Sequence, residues 1–175
     1  MADKYDRTLS DHFGDHGYSN HGELWNSCWT TEKTPWDRQQ PSAALSDLLL
    51  DKTEFFDSPG KGATRTALVP GCGRGHDVLL LSTFGYDVYG LDISEPAIDE
   101  AKKNQEAWKT AGKLVARKEA LGSCHFFAGD FFSNTWVEQS GVPDGKFDLI
   151  FDYTVSYRNK QRYFALSTLL LPARL

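Results

Sequence analysis

Cysteine is scarce in this chain. Its 175 residues hold three, Cys28, Cys72 and Cys124, without a Cys-x-x-Cys pair. An odd, scattered set indicates neither a disulfide framework nor a zinc knuckle, and the thiols read as reduced packing residues. Long apolar runs are also lacking. Runs such as Leu149-Ile-Phe151 and Leu169-Leu-Leu171 fall far short of the ~20 residues that span a bilayer. Met1-Ala-Asp-Lys-Tyr5 has no apolar core of a secretion signal. The expectation is a cytoplasmic protein with no membrane partner. Positive charge is in deficit as well: Lys+Arg 19 against Asp+Glu 24 gives a formal charge of -5, which argues against a broad grip on nucleic acid and points to a small-molecule partner. What is present, 40% hydrophobic and 25% charged residues without repeat or low-complexity tract, suits one globular core rather than a disordered, fibrous or multidomain chain.

Residues 1–21 are polar and rich in Gly, Asp and His, the composition of a flexible N-terminal arm. His12, His16 and His21 lie close in sequence there, but a segment this polar cannot form a rigid cage, and no metal is expected. Three of the five tryptophans follow within twelve positions, Trp25, Trp29 and Trp36. Trp25 and Trp29 are four apart and share a face on a helix, while Trp36 follows Pro35 in a turn. They form either an aromatic clasp on the domain's own surface or a lid over a ligand. An amphipathic helix from Pro41-Ser42 through Leu50 carries Ala44, Leu45, Leu48 and Leu49 on one stripe and should lie on a sheet. A turn-rich stretch, 57–64, leads to the first strand.

From there strand and helix alternate, the signature of a parallel sheet with crossover helices. Predicted strands are Thr66–Val69, Asp87–Leu91, Cys124–Ala128 and Phe147–Phe151. Predicted helices are Asp77–Phe84, Glu95 to about Glu119, with Pro96 in its first turn after Ser94, and a short one near Thr135–Gln139.

The first strand runs into Gly71-Cys-Gly-Arg-Gly-His-Asp77. Glycine there lets the backbone turn sharply and a ligand approach closely. The second strand ends about twenty residues later in Gly90-Leu-Asp-Ile-Ser94, where Asp92 is placed either to accept both hydroxyls of a ribose or to act as a cap or solvated charge. The third ends in Gly129-Asp-Phe-Phe132. Asp130 and Phe131 suit the amine and ring face of adenine, or are a loop acid and a core aromatic. The third glycine comes one residue early for a dinucleotide fingerprint. The fourth strand ends in Phe147-Asp-Leu-Ile-Phe-Asp-Tyr-Thr154. Ligands of open parallel sheets gather beyond the strands' carboxyl ends, so all four clusters converge on one crevice. No Ser/His/Asp or Cys/His catalytic arrangement stands out.

The tryptophan cluster with Thr34-Pro-Trp-Asp37, the stretch Ala67-Leu-Val-Pro-Gly-Cys-Gly-Arg-Gly-His-Asp77, Gly90–Ser94 and Phe147–Tyr153 together resemble class I S-adenosylmethionine-dependent methyltransferases. More narrowly, they resemble the thiol and halide methyltransferase group of the thiopurine S-methyltransferase family, over about residues 22–154. The resemblance implies an α/β, Rossmann-like fold with S-adenosyl-L-methionine as cofactor, contacted by Trp25, Trp29, Trp36, Gly71, Asp92, Asp130, Phe131 and Tyr153. It turns the tryptophans toward the lid reading and makes Tyr153 the lining of the transfer site. The implied reaction is in-line methyl transfer to a small thiol, hydrosulfide or halide. The alternatives are a larger sulfur-bearing acceptor, or a non-catalytic binding or regulatory protein.

A seven-stranded member of this fold needs roughly 165 residues from its first strand, and about 110 remain after residue 65. About four strands are therefore expected, with 155–175 a divergent tail. That tail is either a domain cut before its fifth strand or read-through of an unspliced intron, since Val155-Ser156 can be encoded by GTAAGT. Either way the fourth strand is expected to expose an open edge suited to self-association.

Overall fold

The computed structural model describes residues 12–14, 16–17, 20–51, 65–133, 135–141 and 147–153. The turn-rich stretch 57–64, Thr154, the tail 155–175 and most of the N-terminal arm lie outside them. The elements in chain order are α1 (His21–Thr30), α2 (Ala43–Asp51), β1 (Arg65–Pro70), α3 (His76–Thr83), β2 (Tyr86–Asp92), α4 (Glu95–Thr110), β3 (Cys124–Ala128), α5 (Thr135–Ser140) and β4 (Leu149–Ile150). The four strands form a parallel sheet in the order β3-β2-β1-β4.

Alternation along β1 sorts the core between the sheet's faces. Ala67 and Val69 join α2 and α3 through Leu45, Leu49, Val78, Leu80 and Leu81, with Tyr86, Val88, Leu149 and Phe151 from the other strands. Leu68 faces the other way, toward Leu91, Phe147 and Trp136 of α5. The chain adds β2 and β3 to one side of β1 and then returns to place β4 on the other. The topological switch therefore falls between β1 and β4, where ligands of such sheets bind.

Three expectations shift. Helix α4 stops at Thr110 rather than near Glu119, because Gly112 adopts φ +65 and closes the helix with Gly112 N–H to Lys109 O at 3.0 Å and Lys113 N–H to Trp108 O at 2.9 Å, a Schellman cap. The fourth strand's ladder comprises Leu149–Ile150, although Asp148 and Phe151 still donate to Thr66 O and Leu68 O at 3.0 and 2.9 Å. In α2, Leu45 and Leu49 are fully buried and Leu48 partly so, but Ala44 is exposed, so the stripe is narrower than its spacing predicts. That helix is tied in at its start, where Ser42 N–H donates to Asp77 Oδ1 of α3 at 2.7 Å. No helix among the described residues is long and apolar enough to cross a membrane.

Candidate functional site

The glycine turn is built by backbone conformation. Gly71, Gly73 and Gly75 all have positive φ, at +60, +51 and +70, a region in which a side chain is strained. Gly75 also has no room for one, since a Cβ there would lie 2.7 Å from the Phe126 ring. The turn is pinned to β2 by Cys72 N–H to Leu91 O at 3.0 Å. Cys72 lies partly buried at the core's edge, its thiol pushed well above the usual range by burial and by the neighbouring Asp92 and Asp77 carboxylates. It is a packing group with little thiolate character.

Asp92 ends β2 and is 8% exposed. Its Oδ2 accepts Gly73 N–H at 2.9 Å and its Oδ1 accepts Ser94 N–H at 3.0 Å. Burial raises its pKa, partly offset by these amides. The carboxylate thus sets the shape of the glycine turn, and each oxygen retains a lone pair for a further donor. Asp130, after β3, accepts Phe132 N–H at 2.9 Å. Phe131 packs against the cluster of Leu68, Leu91, Trp136 and Phe147, with the Phe132 ring edge-on at 5.2 Å. Beyond β4, Tyr153 is 51% exposed and lies parallel to Phe151 at 6.4 Å.

The three tryptophans meet. Trp36 stands edge-to-face with Trp25 at 5.1 Å and with Trp29 at 6.2 Å, an arrangement aromatic quadrupoles favour. Phe13 tilts against Trp25 at 4.4 Å, and His12 Nε2 lies 3.2 Å from Leu24 O, so these two residues of the arm are in contact with α1. Trp29 is buried, with its ring edge 3.2 Å from where a Gly73 Cβ would stand. The cluster therefore rests directly on the glycine turn. From the opposite side, Ser94 Oγ donates to Asn26 Oδ1 at 3.2 Å, linking α1 to the residue that precedes α4.

Spacing arguments missed a charged cluster beside this contact. Arg74 Nε donates to Asp37 Oδ2 at 2.6 Å, its Nη1 pairs with Glu100 of α4, and its guanidinium carbon stands 5.6 Å from the Trp29 ring centroid. Asn104 Nδ2 donates to Arg74 O at 2.8 Å and lies 3.1 Å from His76 Nδ1. His76 Nε2 faces Asp37 Oδ1 at 3.6 Å. Burial alone would raise the Asp37 pKa, but the contacts with His76, Gln39 N–H and Arg74 outweigh it and hold it at about 2. The available signal was an arginine in a turn otherwise made of small residues, and an acid directly after Trp36.

At the amino ends of the strands, Asp87, Ser123 and His125 also converge, but not as a triad. Ser123 Oγ donates to Asp87 Oδ1 at 2.7 Å and stands 2.8 Å from His125 Nε2. The hydroxyl lies between acid and imidazole and spends its proton on the acid, so no base activates it.

The described residues thus bring the glycine turn, Asp92, Asp130–Phe131 and Tyr153 to the carboxyl ends of the strands, with Trp29 against the turn. The profile of thiopurine S-methyltransferase (TPMT) matches residues 20–171. The chain is 34% identical over 130 residues to probable thiol methyltransferase 2 of Arabidopsis thaliana, covering 74% of this chain and 46% of that protein. It is 37% identical over 131 residues to thiocyanate methyltransferase 1 of Brassica oleracea, covering 75% and 47%. A solved structure titled for the conversion of a disulfide bond into a thioacetal group during echinomycin biosynthesis is similar with a TM-score of 0.57 at 25% identity, over 79% of this chain and 48% of that one. The chain spans about half the length of the curated relatives it matches. Because the match spans residues 20–171, taking in the tryptophan segment, the glycine turn and all four strand ends, the chain belongs to the thiopurine S-methyltransferase family.

Proposed function

We propose that this chain binds S-adenosyl-L-methionine in the crevice at the carboxyl ends of β1–β4 and transfers its methyl group to a small thiol, hydrosulfide or halide. The observation that carries the reading is the placement of Asp92 at the end of β2, bonded to the Gly73 amide beneath Trp29. This joins a ribose acceptor, a glycine turn and an aromatic cover in one place.

The donor set suits the group. Asp92 would accept the ribose hydroxyls, Asp130 the adenine amine, and Phe131 would cover the adenine ring. Gly71, exposed at the head of the turn, would leave room for the methionine portion. Trp25, Trp29 and Trp36 would cover the sulfonium, whose charge aromatic faces attract, and Tyr153 would line the acceptor side. The bound cofactor supplies an electrophilic methyl on a sulfonium sulfur. The chain's residues would orient the bound cofactor toward the acceptor and exclude water. Thiolates, hydrosulfide and halides are soft and already anionic or nearly so, so alignment does the work that a general base would otherwise do.

A second reading, cofactor binding without turnover, is supported by the exposure of Tyr153, 51%, which leaves the residue read as lining the acceptor side open to solvent. Calorimetry with S-adenosylmethionine, followed by product detection with hydrosulfide and iodide, separates the two. Binding with methanethiol or iodomethane formation supports transfer, binding alone supports the second reading, and absence of binding removes both. Asp92→Ala is expected to weaken binding tenfold or more by removing the ribose acceptor and releasing the Gly73 amide.

A further inference from the structure

Trp36 and Trp29 hold their places through groups that are not themselves part of the crevice. Asp37 directly follows Trp36, and its side chain is 7% exposed. Arg74 lies between Gly73 and Gly75 and binds that carboxylate through Nε at 2.6 Å, while its Nη1 pairs with Glu100 and its guanidinium carbon stands 5.6 Å from the Trp29 ring centroid. One guanidinium therefore joins the segment after α1, the glycine turn, α1 itself and α4. Its geometry is fixed from behind. Asn104 donates to the Arg74 carbonyl and lies within hydrogen-bond distance of His76 Nδ1. With the amide donating to Nδ1, the imidazole proton sits on Nε2, which faces Asp37.

An arginine used only to bind a turn could point to solvent, and a carboxylate used only to solubilise a loop would not be buried. Burying Asp37 requires a cation held in place. Here that cation is supplied by the turn that carries Gly71 and Gly73, so displacing the tryptophan segment would break the Arg74–Asp37 pair and leave the guanidinium held by Glu100 alone. The planar fork is what lets Arg74 meet two carboxylates and a ring at once, and a lysine ammonium cannot reproduce it.

We propose that Asp37 and Arg74 are positioning residues that latch the tryptophan segment onto the glycine turn and thereby set affinity for the adenosyl cofactor. The cofactor half of this inference rests on the function proposed above; the latch itself does not. The test compares wild type, Asp37→Asn and Arg74→Lys in two measurements: calorimetric Kd for S-adenosylhomocysteine, and acrylamide quenching of tryptophan emission without ligand. Circular dichroism confirms folding.

The expected result is a Kd raised at least tenfold in Asp37→Asn and by a smaller factor in Arg74→Lys, with stronger quenching in both. A Kd within twofold of wild type in the folded variants overturns the proposal, as does weakened binding with unchanged quenching. If Asp37→Asn does not fold, Arg74→Lys decides by the same criteria. If wild type binds no S-adenosylhomocysteine, the proposed function fails, and quenching alone decides the latch: an increase supports it and no change overturns it.

Discussion

Asp37 illustrates how one side chain's surroundings set its chemistry. Its pKa of about 2 lies below the ordinary carboxylate value of about 3.9, so the native state holds the ionised form more tightly than the unfolded chain does. The resulting stabilisation is fully present above about pH 5 and is lost as pH falls through the folded value near 2. At about 1.4 kcal/mol per pK unit it amounts to roughly 2–3 kcal/mol. Denaturant titrations of wild type and Asp37→Asn between pH 7 and pH 2.5 should show a stability gap that is constant down to about pH 5 and narrows below it. A gap independent of pH would mean that the carboxylate's charge is not what Arg74 and His76 recognise. Gly75 makes the complementary case from sterics. A methyl there meets the Phe126 ring at 2.7 and 3.0 Å and Ala101 Cβ at 3.2 Å, at φ +70. Gly75→Ala should therefore cost roughly 2–4 kcal/mol, combining left-handed backbone strain with overpacking. Thermal and urea denaturation read it directly.

Among the elements, α4 separates conformational cost from steric cost. Gly112 shares the left-handed conformation of Gly75, but a Cβ on it would meet nothing within 4 Å. Gly112→Ala should cost only about 1 kcal/mol, the penalty for a left-handed alanine, again measurable by urea denaturation. The same residue explains where sequence reading of this helix ended too late. A glycine followed by lysine and leucine can be read as a tolerated interior position or as a cap, and the Schellman bonds to Lys109 and Trp108 that decide the matter are visible only in three dimensions. The strands were more legible. Thr66–Val69 and Asp87–Leu91 announce themselves by β-branched and aromatic content between turns, each one residue short at both ends of the observed Arg65–Pro70 and Tyr86–Asp92, and their carboxyl ends place Gly71 and Asp92. Sequence alone leaves the roles of Phe131 and Asp130 open between ligand contact and core packing, because a strand end offers both environments within one residue. The Arg74–Asp37 pair was illegible for a different reason: its partners are 37 residues apart, joined by tertiary approach and not by any period.

For the molecule as a whole, the sheet order β3-β2-β1-β4 divides labour between a central part and an attached one. Helix α3 sits in that central part, with all six residues from Val78 to Thr83 buried and its first turn continuous with Gly75. Helix α1 and the tryptophans are attached by edge contacts, one ion-pair cluster and the Ser94–Asn26 bond. The two parts should differ in amide hydrogen exchange. Opening of α3 requires loss of the main core, so its amides should exchange near the rate set by global unfolding, whereas those of Leu24–Thr30 should exchange through cheaper local opening. If α1 and α3 exchanged at matching rates, a single cooperative unit would be the better description. The burial of α3 then has a kinetic meaning for the proposed function: the platform would be rigid before a ligand arrives, and residence time would be set by the opening rate of the tryptophan segment.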